Sequence, residues 1–301
     1  MKLGIDMGGM SIKMGLVNEE NKIIGRITIP TDLTVPYQTL VERMADAVRQ
    51  MLENAGMTLE QCGGIGIGSP GTIDAKQGVI LYSNNFGWEN VPIVEELKKH
   101  LDTRIEIAND ADAAALGEVC AGAAEGAENA VLLTLGTGVG SGVILDKKIF
   151  RGAMPGGCEL GHLSIRYDGI RCTCGRKGCL EAYASASALL RIAREKAAEH
   201  PESIMNEMCG NDLEQMNGKI PFDAAKAGDE AGMETVKEYE GYLACGIANV
   251  INTFRPEKVI LGGGVAAQKD NLTAPLKDLV KDMCFGGSHG HIADIEIGRA
   301  S

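Results

Sequence analysis

Two glycine-rich turns, each entered and left by an apolar strand pattern, constrain this chain more than any other feature. The first runs from Leu3-Gly-Ile-Asp6 through Met7-Gly8-Gly9 into Ser11–Val17. The second runs from Ala130–Leu135 through Gly136-Thr137-Gly138-Val139-Gly140 and leaves over 143–145. Apolar residues on both flanks are the pattern of a hairpin, and glycine lets the backbone turn tightly enough to aim its amides at a ligand. Each unit heads a stretch of alternating strand and helix patterns. In the first, Leu40, Met44, Val48, Met51 and Leu52 predict a helix over Tyr37–Asn54, followed by a buried strand at 64–68 that leads to Ser69-Pro-Gly71. A polar loop at 84–88, a helix capped by Asn90 and begun by Pro92, a strand at 105–108 and an alanine-rich helix opened by Asn109-Asp110 complete it. The second stretch predicts helices at 181–199 and 229–254, the latter broken by Gly241 and Gly246. A strand at 258–261, a helix at 273–283 and a last strand at 292–297 follow. The repetition predicts a duplicated α/β fold with a nucleotide between its halves. Gly117, Gly122 and Gly126 loosen the chain near 117–129, so the division is expected between an N-terminal lobe, 1–118, and a C-terminal lobe, 119–301.

Composition narrows the class. The 301 residues suffice for two cores, and 45% are apolar, with no run of membrane-spanning length. A formal charge of −12 opposes a nucleic-acid partner, which needs a basic face. The chain opens directly into a strand pattern without a leader, and a cytoplasmic protein with no membrane partner is expected. Nine cysteines in such a chain point to reduced thiols.

Three of those cysteines fall within eight residues, in Arg171-Cys172-Thr-Cys174-Gly-Arg-Lys-Gly-Cys179, with His162 ten residues before the first. Three sulfurs and one imidazole nitrogen make a tetrahedral set suited to Zn²⁺, and four protein ligands leave no open position, so the metal would be structural. The alternative is a set of buried or disulfide-bonded cysteines, though Cys172 and Cys174 are too close to bridge easily; Cys172-x-Cys174 is also tighter than common zinc spacings. Glu159 and Glu181 bracket the loop, and carboxylates fixed beside it are placed to bind the hydroxyls of a polyol. Isolated glutamates are otherwise surface charges.

No Walker-type phosphate loop is present. Gly66, Gly68 and Gly71 spell G-x-G-x-x-G, but Pro70 and the following hairpin pattern contradict the helix that motif requires. Gly262, Gly264 and Ala267 match a looser form without a ribose-binding acid after it. Gly8, Gly9, Gly136, Gly138 and Gly140 are better phosphate candidates, with hydroxyls from Ser11 and Thr137. Asp6, at a strand end, is a candidate for Mg²⁺. Asp110 reads either as a helix N-cap or as general base for a hydroxyl attacking a γ-phosphate.

In their order, Asp6-x-Gly-Gly, Asn109-Asp110, Leu135-Gly-Thr-Gly-x-Gly140, Glu159-x-Gly-His162, Cys172-x-Cys-Gly-x-x-Gly-Cys-x-Glu181 and Leu261-Gly-Gly-Gly resemble the ROK family of sugar kinases and repressors. The resemblance covers the whole chain. It implies an actin-like, RNase H-like duplicated two-lobe ATPase fold. It implies Asp110 as the base; zinc on His162, Cys172, Cys174 and Cys179; and sugar on Gly71, Asn85, Asn109, Asp110, Glu159, His162 and Glu181. ATP would lie on Asp6, Gly8, Gly9, Ser11, Lys13 and the second turn, with Gly262, Gly263 and Gly264 on its adenosine side. The activity implied is ATP- and Mg²⁺-dependent phosphorylation of a hexose at its 6-hydroxyl, glucose to glucose 6-phosphate, at the head of glycolysis. A kinase for another hexose such as N-acetylmannosamine, or a non-catalytic sugar-sensing regulator, are the alternatives. A homodimer or homotetramer is expected.

Two departures from the family pattern stand out. Met10 occupies a position usually held by Thr, leaving Ser11 to supply the hydroxyl. The chain stops at Ser301, where relatives continue into a final helix; it begins at the phosphate hairpin, where the repressors carry a helix-turn-helix, which favours the kinase. Because the zinc loop carries the sugar carboxylates, losing the metal is expected to damage sugar use without touching the nucleotide.

Overall fold

The computed structural model describes residues 1–290 and 292–299, so Ser301 lies outside them. The chain forms two compact units, Met1–Ala121 with Ile149–Cys158, and Gly122–Lys148 with the residues from Glu159 onward. The expected division at 118/119 has one crossing; the chain makes three, going back to the first unit over Ile149–Cys158.

In the first unit, alternation turns Leu3, Ile5 and Met7 of β1 (Lys2–Met7) and Ile12, Met14 and Leu16 of β2 (Ser11–Val17) inward. β3 (Ile23–Pro30) follows, and α1 (Tyr37–Asn54) packs against it with Leu40, Val41, Met44, Val48, Met51 and Leu52 buried at helical spacing. Next come β4 (Ile65–Ser69), β5 (Thr72–Asp74), β6 (Val79–Ser83), β7 (Trp88–Val91), α2 (Ile93–Lys98), β8 (Ile105–Asn109) and α3 (Asp110–Ala121). The main sheet has the order β3-β2-β1-β4-β8, with β1 antiparallel to β2 and parallel to β4, and β4 parallel to β8. β5, β6 and β7 make a separate antiparallel sheet. The polar loop expected at 84–88 gives way to a strand from Trp88, and Asn90 lies inside it with φ 53° instead of capping α2, whose N-cap is Pro92. Stacking of Trp88 on Phe86, with centroids 4.8 Å apart, and an edge contact to Tyr37 outweigh the polar composition around them.

The second unit contains β9 (Ala130–Leu135), β10 (Val139–Leu145), β11 (Lys148–Ile149), α4 (Glu181–Ala184), α5 (Ala186–Glu199), α6 (Ile204–Met208), α7 (Ile220–Lys226), α8 (Glu230–Phe254), β12 (Lys258–Gly262), α9 (Asp270–Met283) and β13 (Asp294–Ile297). Its sheet order is β11-β10-β9-β12-β13, with β9 antiparallel to β10 and parallel to β12, and β12 parallel to β13. Numbered within each sheet, both units read 3-2-1-4-5, so the duplication is one of connectivity. β9 and β12 are buried along almost their whole length, as strands covered on both faces are.

Two helical expectations change. The helix expected over 181–199 breaks at Ser185, whose hydroxyl caps α5 by accepting the Ala188 amide at 3.0 Å. The break expected within 229–254 is absent: α8 runs unbroken through Gly241 and Gly246. At Gly246 a Cβ would collide with the buried Leu180, so this glycine brings the residue after Cys179 against the helix, and that packing offsets the roughly 1 kcal/mol cost of a helical glycine. Among the described residues no helix is long and apolar enough to cross a membrane.

Candidate active site

In the first unit the β1–β2 hairpin presents Asp6 and Lys13 as directly opposed, exposed partners, which places opposite charges on one face of the sheet. The Gly8 amide donates to the Ser11 carbonyl at 3.0 Å, and a Cβ on Gly8 would press on that same oxygen. Thr31, which sequence reading missed, braces the turn: its hydroxyl donates to the Gly8 carbonyl at 2.6 Å and its amide to that of Met10 at 3.1 Å. Met10 itself is 90% exposed, so it does not fill the place of a lost hydroxyl. Gly9 lies beside the Asn85 side chain.

Asp110 opens α3 at the end of β8. Asn109 performs a capping bond there, accepting the Ala111 amide at 2.9 Å, while its Nδ2 donates to the Gly71 carbonyl at 3.2 Å. Asp110 Oδ1 accepts the same Ala111 amide at 2.9 Å. Partial burial raises the Asp110 pKa above the ordinary aspartate value and the negative charge of Asp6 adds to the rise, against the opposing Ala111 amide. Cap and base are thus separable, because the neighbour supplies a cap. Beside Asn109 lies a cavity of about 150 Å³ walled by Asp74, Lys76, Asp112, Arg151 and Met154. Gly156 and Gly157, at φ 112° and 73°, close it, with Gly157 against the Asp112 carboxylate. This wall went unread because its halves are about forty residues of sequence or more apart and no motif marks it.

In the second unit the turn after β9 is closed by the Gly136 amide donating to the Gly138 carbonyl at 3.0 Å, and Gly140 pairs with Thr134 in the ladder. Gly263, at φ 83°, lies so close to the Leu135 backbone that no side chain would fit, and Gly264 opens a 3₁₀ turn. Gly262, Gly263 and Gly264 therefore adjoin the second turn. The Glu159-x-Gly-His162 motif forms a 3₁₀ turn against β10: the Leu160 amide donates to the Ser141 hydroxyl at 3.0 Å, and Gly161 rests on the Val139 carbonyl, leaving no room for a Cβ.

The loop at 172–179 is a small knot in which Cys172 N donates to Arg176 O at 2.8 Å and Gly178 N to Ile170 O at 2.9 Å. Gly175 and Gly178 have φ 89° and 76°, and a Cβ on Gly178 would overlap the Arg166 carbonyl. All nine cysteines are free. His162 Nδ1 or Nε2 and the sulfurs of Cys172, Cys174 and Cys179 all lie within 4.8 Å of one another. Cys172 Sγ is 3.7 Å from His162 Nδ1, and Cys174 Sγ is 3.7 Å from Cys179 Sγ. A tetrahedral zinc with bonds of about 2.3 Å to sulfur has ligand–ligand edges of about 3.8 Å, so the residues fit such an ion. Burial pushes the Cys179 thiol up to about 12, so its thiolate calls for a cation beside it. Glu181 follows the loop. Its Oε1 accepts from Thr173 Oγ1 at 3.2 Å and Cys172 Sγ at 3.4 Å, and its Oε2 accepts the Val139 amide at 3.1 Å.

The model of the ROK family matches residues 2–300. The glucokinase of Thermotoga maritima is 37% identical over 281 residues, covering 93% of this chain and 87% of that one. A crystal structure of a ROK family glucokinase from Streptomyces griseus in complex with glucose and AMPPNP has a TM-score of 0.78 and 30% identity, covering 99% of this chain and 94% of that one. The ROK hexokinase from Thermus thermophilus has a TM-score of 0.80 and 31% identity, with 99% and 92% covered.

Proposed function

This chain belongs to the ROK family, with its actin-like two-lobe fold, and on that premise we propose that it is an ATP-dependent hexokinase that converts glucose to glucose 6-phosphate, with Asp110 as general base. The observation that carries the role of Asp110 is its place at the β8–α3 junction, uncommitted as the sole cap and with a raised pKa. A carboxylate of raised pKa is a stronger base. The Asp110 carboxylate accepts the proton of the sugar 6-hydroxyl as that oxygen bonds to the γ-phosphorus. The bond from phosphorus to the bridging oxygen breaks, and ADP leaves with the electron pair.

The phosphates are assigned to the turn amides around Gly8, Gly9, Gly136, Gly138 and Gly140, with Ser11, Lys13 and Thr137 beside them, and the adenosine to Gly262, Gly263 and Gly264. Tight glycine turns, where backbone can approach a ligand closely, suit a chain of charge −12, which has few cations to spare for phosphate. Asp6 at its strand end would hold Mg²⁺, which screens charge on the phosphates. The sugar is assigned to Gly71, Asn85, Asn109, Glu159, His162 and Glu181. Zinc on His162, Cys172, Cys174 and Cys179 would shape the loop and take no part in the chemistry. A cytoplasmic homodimer or homotetramer is the assembly we expect.

The test is ADP release, coupled to a reporter, across a sugar panel with the wild-type protein and Asp110→Asn. Glucose is expected to support turnover best, and the variant to lose about 10²–10⁴-fold. A protein that binds glucose but releases no ADP would be a sensor, and turnover confined to N-acetylmannosamine would change the substrate.

A further inference from the structure

The segment that leaves the zinc loop also holds the second phosphate turn. Ala186 N donates to Gly136 O at 2.8 Å, Ser187 Oγ to Thr137 O at 2.9 Å, and Val139 N to Glu181 Oε2 at 3.1 Å. Residues 181–187 thereby hold the turn at Gly136 and Thr137 by their carbonyls and at Val139 by its amide. Glu181 is the link that reaches both ways. Its Oε2 is on the turn, so close to Gly138 that a Cβ there would collide with it, and its Oε1 is on the Thr173 hydroxyl, between Cys172 and Cys174. When Cys172 binds metal as a thiolate it no longer donates to Glu181, and Thr173 remains the donor on the loop side. A carboxylate held at one oxygen by the loop cannot move without pulling the other oxygen off the turn.

We propose that Glu181 is a positioning residue for the second phosphate turn, and that through Thr173 the zinc loop sets the affinity for ATP. This rests on assigning ATP phosphates to that turn, and it reverses the expectation that metal loss would leave the nucleotide untouched. Thr173 is exposed and ligates nothing in the proposed site, so it can be altered without removing a metal ligand or a sugar carboxylate.

The experiment compares wild-type protein, Thr173→Val and Thr173→Ser, each purified with zinc and checked for metal content and Tm. The Kd for AMPPNP with Mg²⁺ is measured by calorimetry without sugar. Thr173→Val is expected to keep one zinc per chain and to weaken AMPPNP about three- to tenfold, only part of the hydrogen bond's worth because it acts on the nucleotide through Glu181, while Thr173→Ser restores it. A purely structural role for Thr173 would lower Tm without this pattern. Chelated wild-type protein, where it stays folded, should lose at least as much affinity, and Thr173→Val should add little to that loss. An AMPPNP Kd unchanged within twofold in zinc-loaded Thr173→Val would overturn the coupling, as would an unchanged Kd in folded, zinc-free wild type. Tight AMPPNP binding in those cases would leave the kinase reading standing; a wild-type protein that binds no AMPPNP would overturn both.

Discussion

At the scale of single residues, Asp110 carries opposed consequences for activity and stability. Its pKa is raised in the fold, so its contribution to stability is present while it is protonated, below the unfolded value, and is lost as pH rises through the folded value. Above the folded value the charge is therefore a liability. Asp110→Asn keeps the oxygen that accepts the Ala111 amide, so the variant should lose turnover while its Tm at pH 7 holds or rises slightly, with no gain near pH 3. Thermal melts and steady-state kinetics on the same preparations check this; a clear fall in Tm at pH 7 would make Asp110 a structural cap. The wild-type kcat/KM should fall on the acid side with an inflection above the ordinary aspartate range. Gly178 makes a second case. Its φ of 76° and its contact with the Arg166 carbonyl forbid a side chain. Gly178→Ala should therefore strip zinc from the loop, read by elemental analysis, where Gly210→Ala, on an open turn, should retain it. The candidate site residues stand out in the sequence because most sit in short motifs of glycine, cysteine or acid. Their holders Thr31, Ser141, Thr173 and Ser187 do not, because a hydroxyl that grips a carbonyl, an amide or a carboxylate leaves no periodicity behind it.

At the scale of elements, strands and hairpins with strict alternation were readable, and so was α1 with its single apolar stripe. β7 was not, because its stability lies in rings brought from Tyr37 and Phe86. The supposed break in α8 failed for a related reason: a glycine can interrupt a helix or admit a neighbour, and only tertiary packing against Leu180 decides. α8 also buries Glu240, whose Oε1 has no hydrogen-bond partner and whose pKa is pushed up to about 7 by burial. Against an unfolded value of 4.5, this carboxyl favours the fold while protonated, and that advantage is lost as pH rises through about 7. Glu240→Gln removes the charge and keeps the shape. Its Tm should match the wild type below pH 5 and exceed it at pH 8, by an amount on the order of one to three kcal/mol of stability. Melts from pH 5 to 8 that run parallel for the two proteins would show that Glu240 stays comfortably ionised.

At the scale of the whole molecule, the repeated strand order was legible as two copies of one pattern, but the route of the chain between them was not. Contacts made by 149–158 depend on residues far away in sequence, and no composition shift marks that excursion. Its consequence concerns how this gene can be divided. A cut after Ala121 leaves the first fragment with Asn109 and Asp112 but without Arg151–Gly157, so its cavity has only one side. A cut after Cys158 supplies that wall but carries away β9 and β10, and with them the central strand of the other sheet. No single cut at a crossing yields two complete fragments. Split versions at 121 or 158 should express poorly alone, whereas a 1–121 fragment joined by a short linker to 149–158 should be soluble and melt cooperatively. The sheet order looks like two beads, yet the thread passes through the first one twice. A half-length ancestor of this protein would have needed a different thread, with the 149–158 wall either absent or joined directly to its own half.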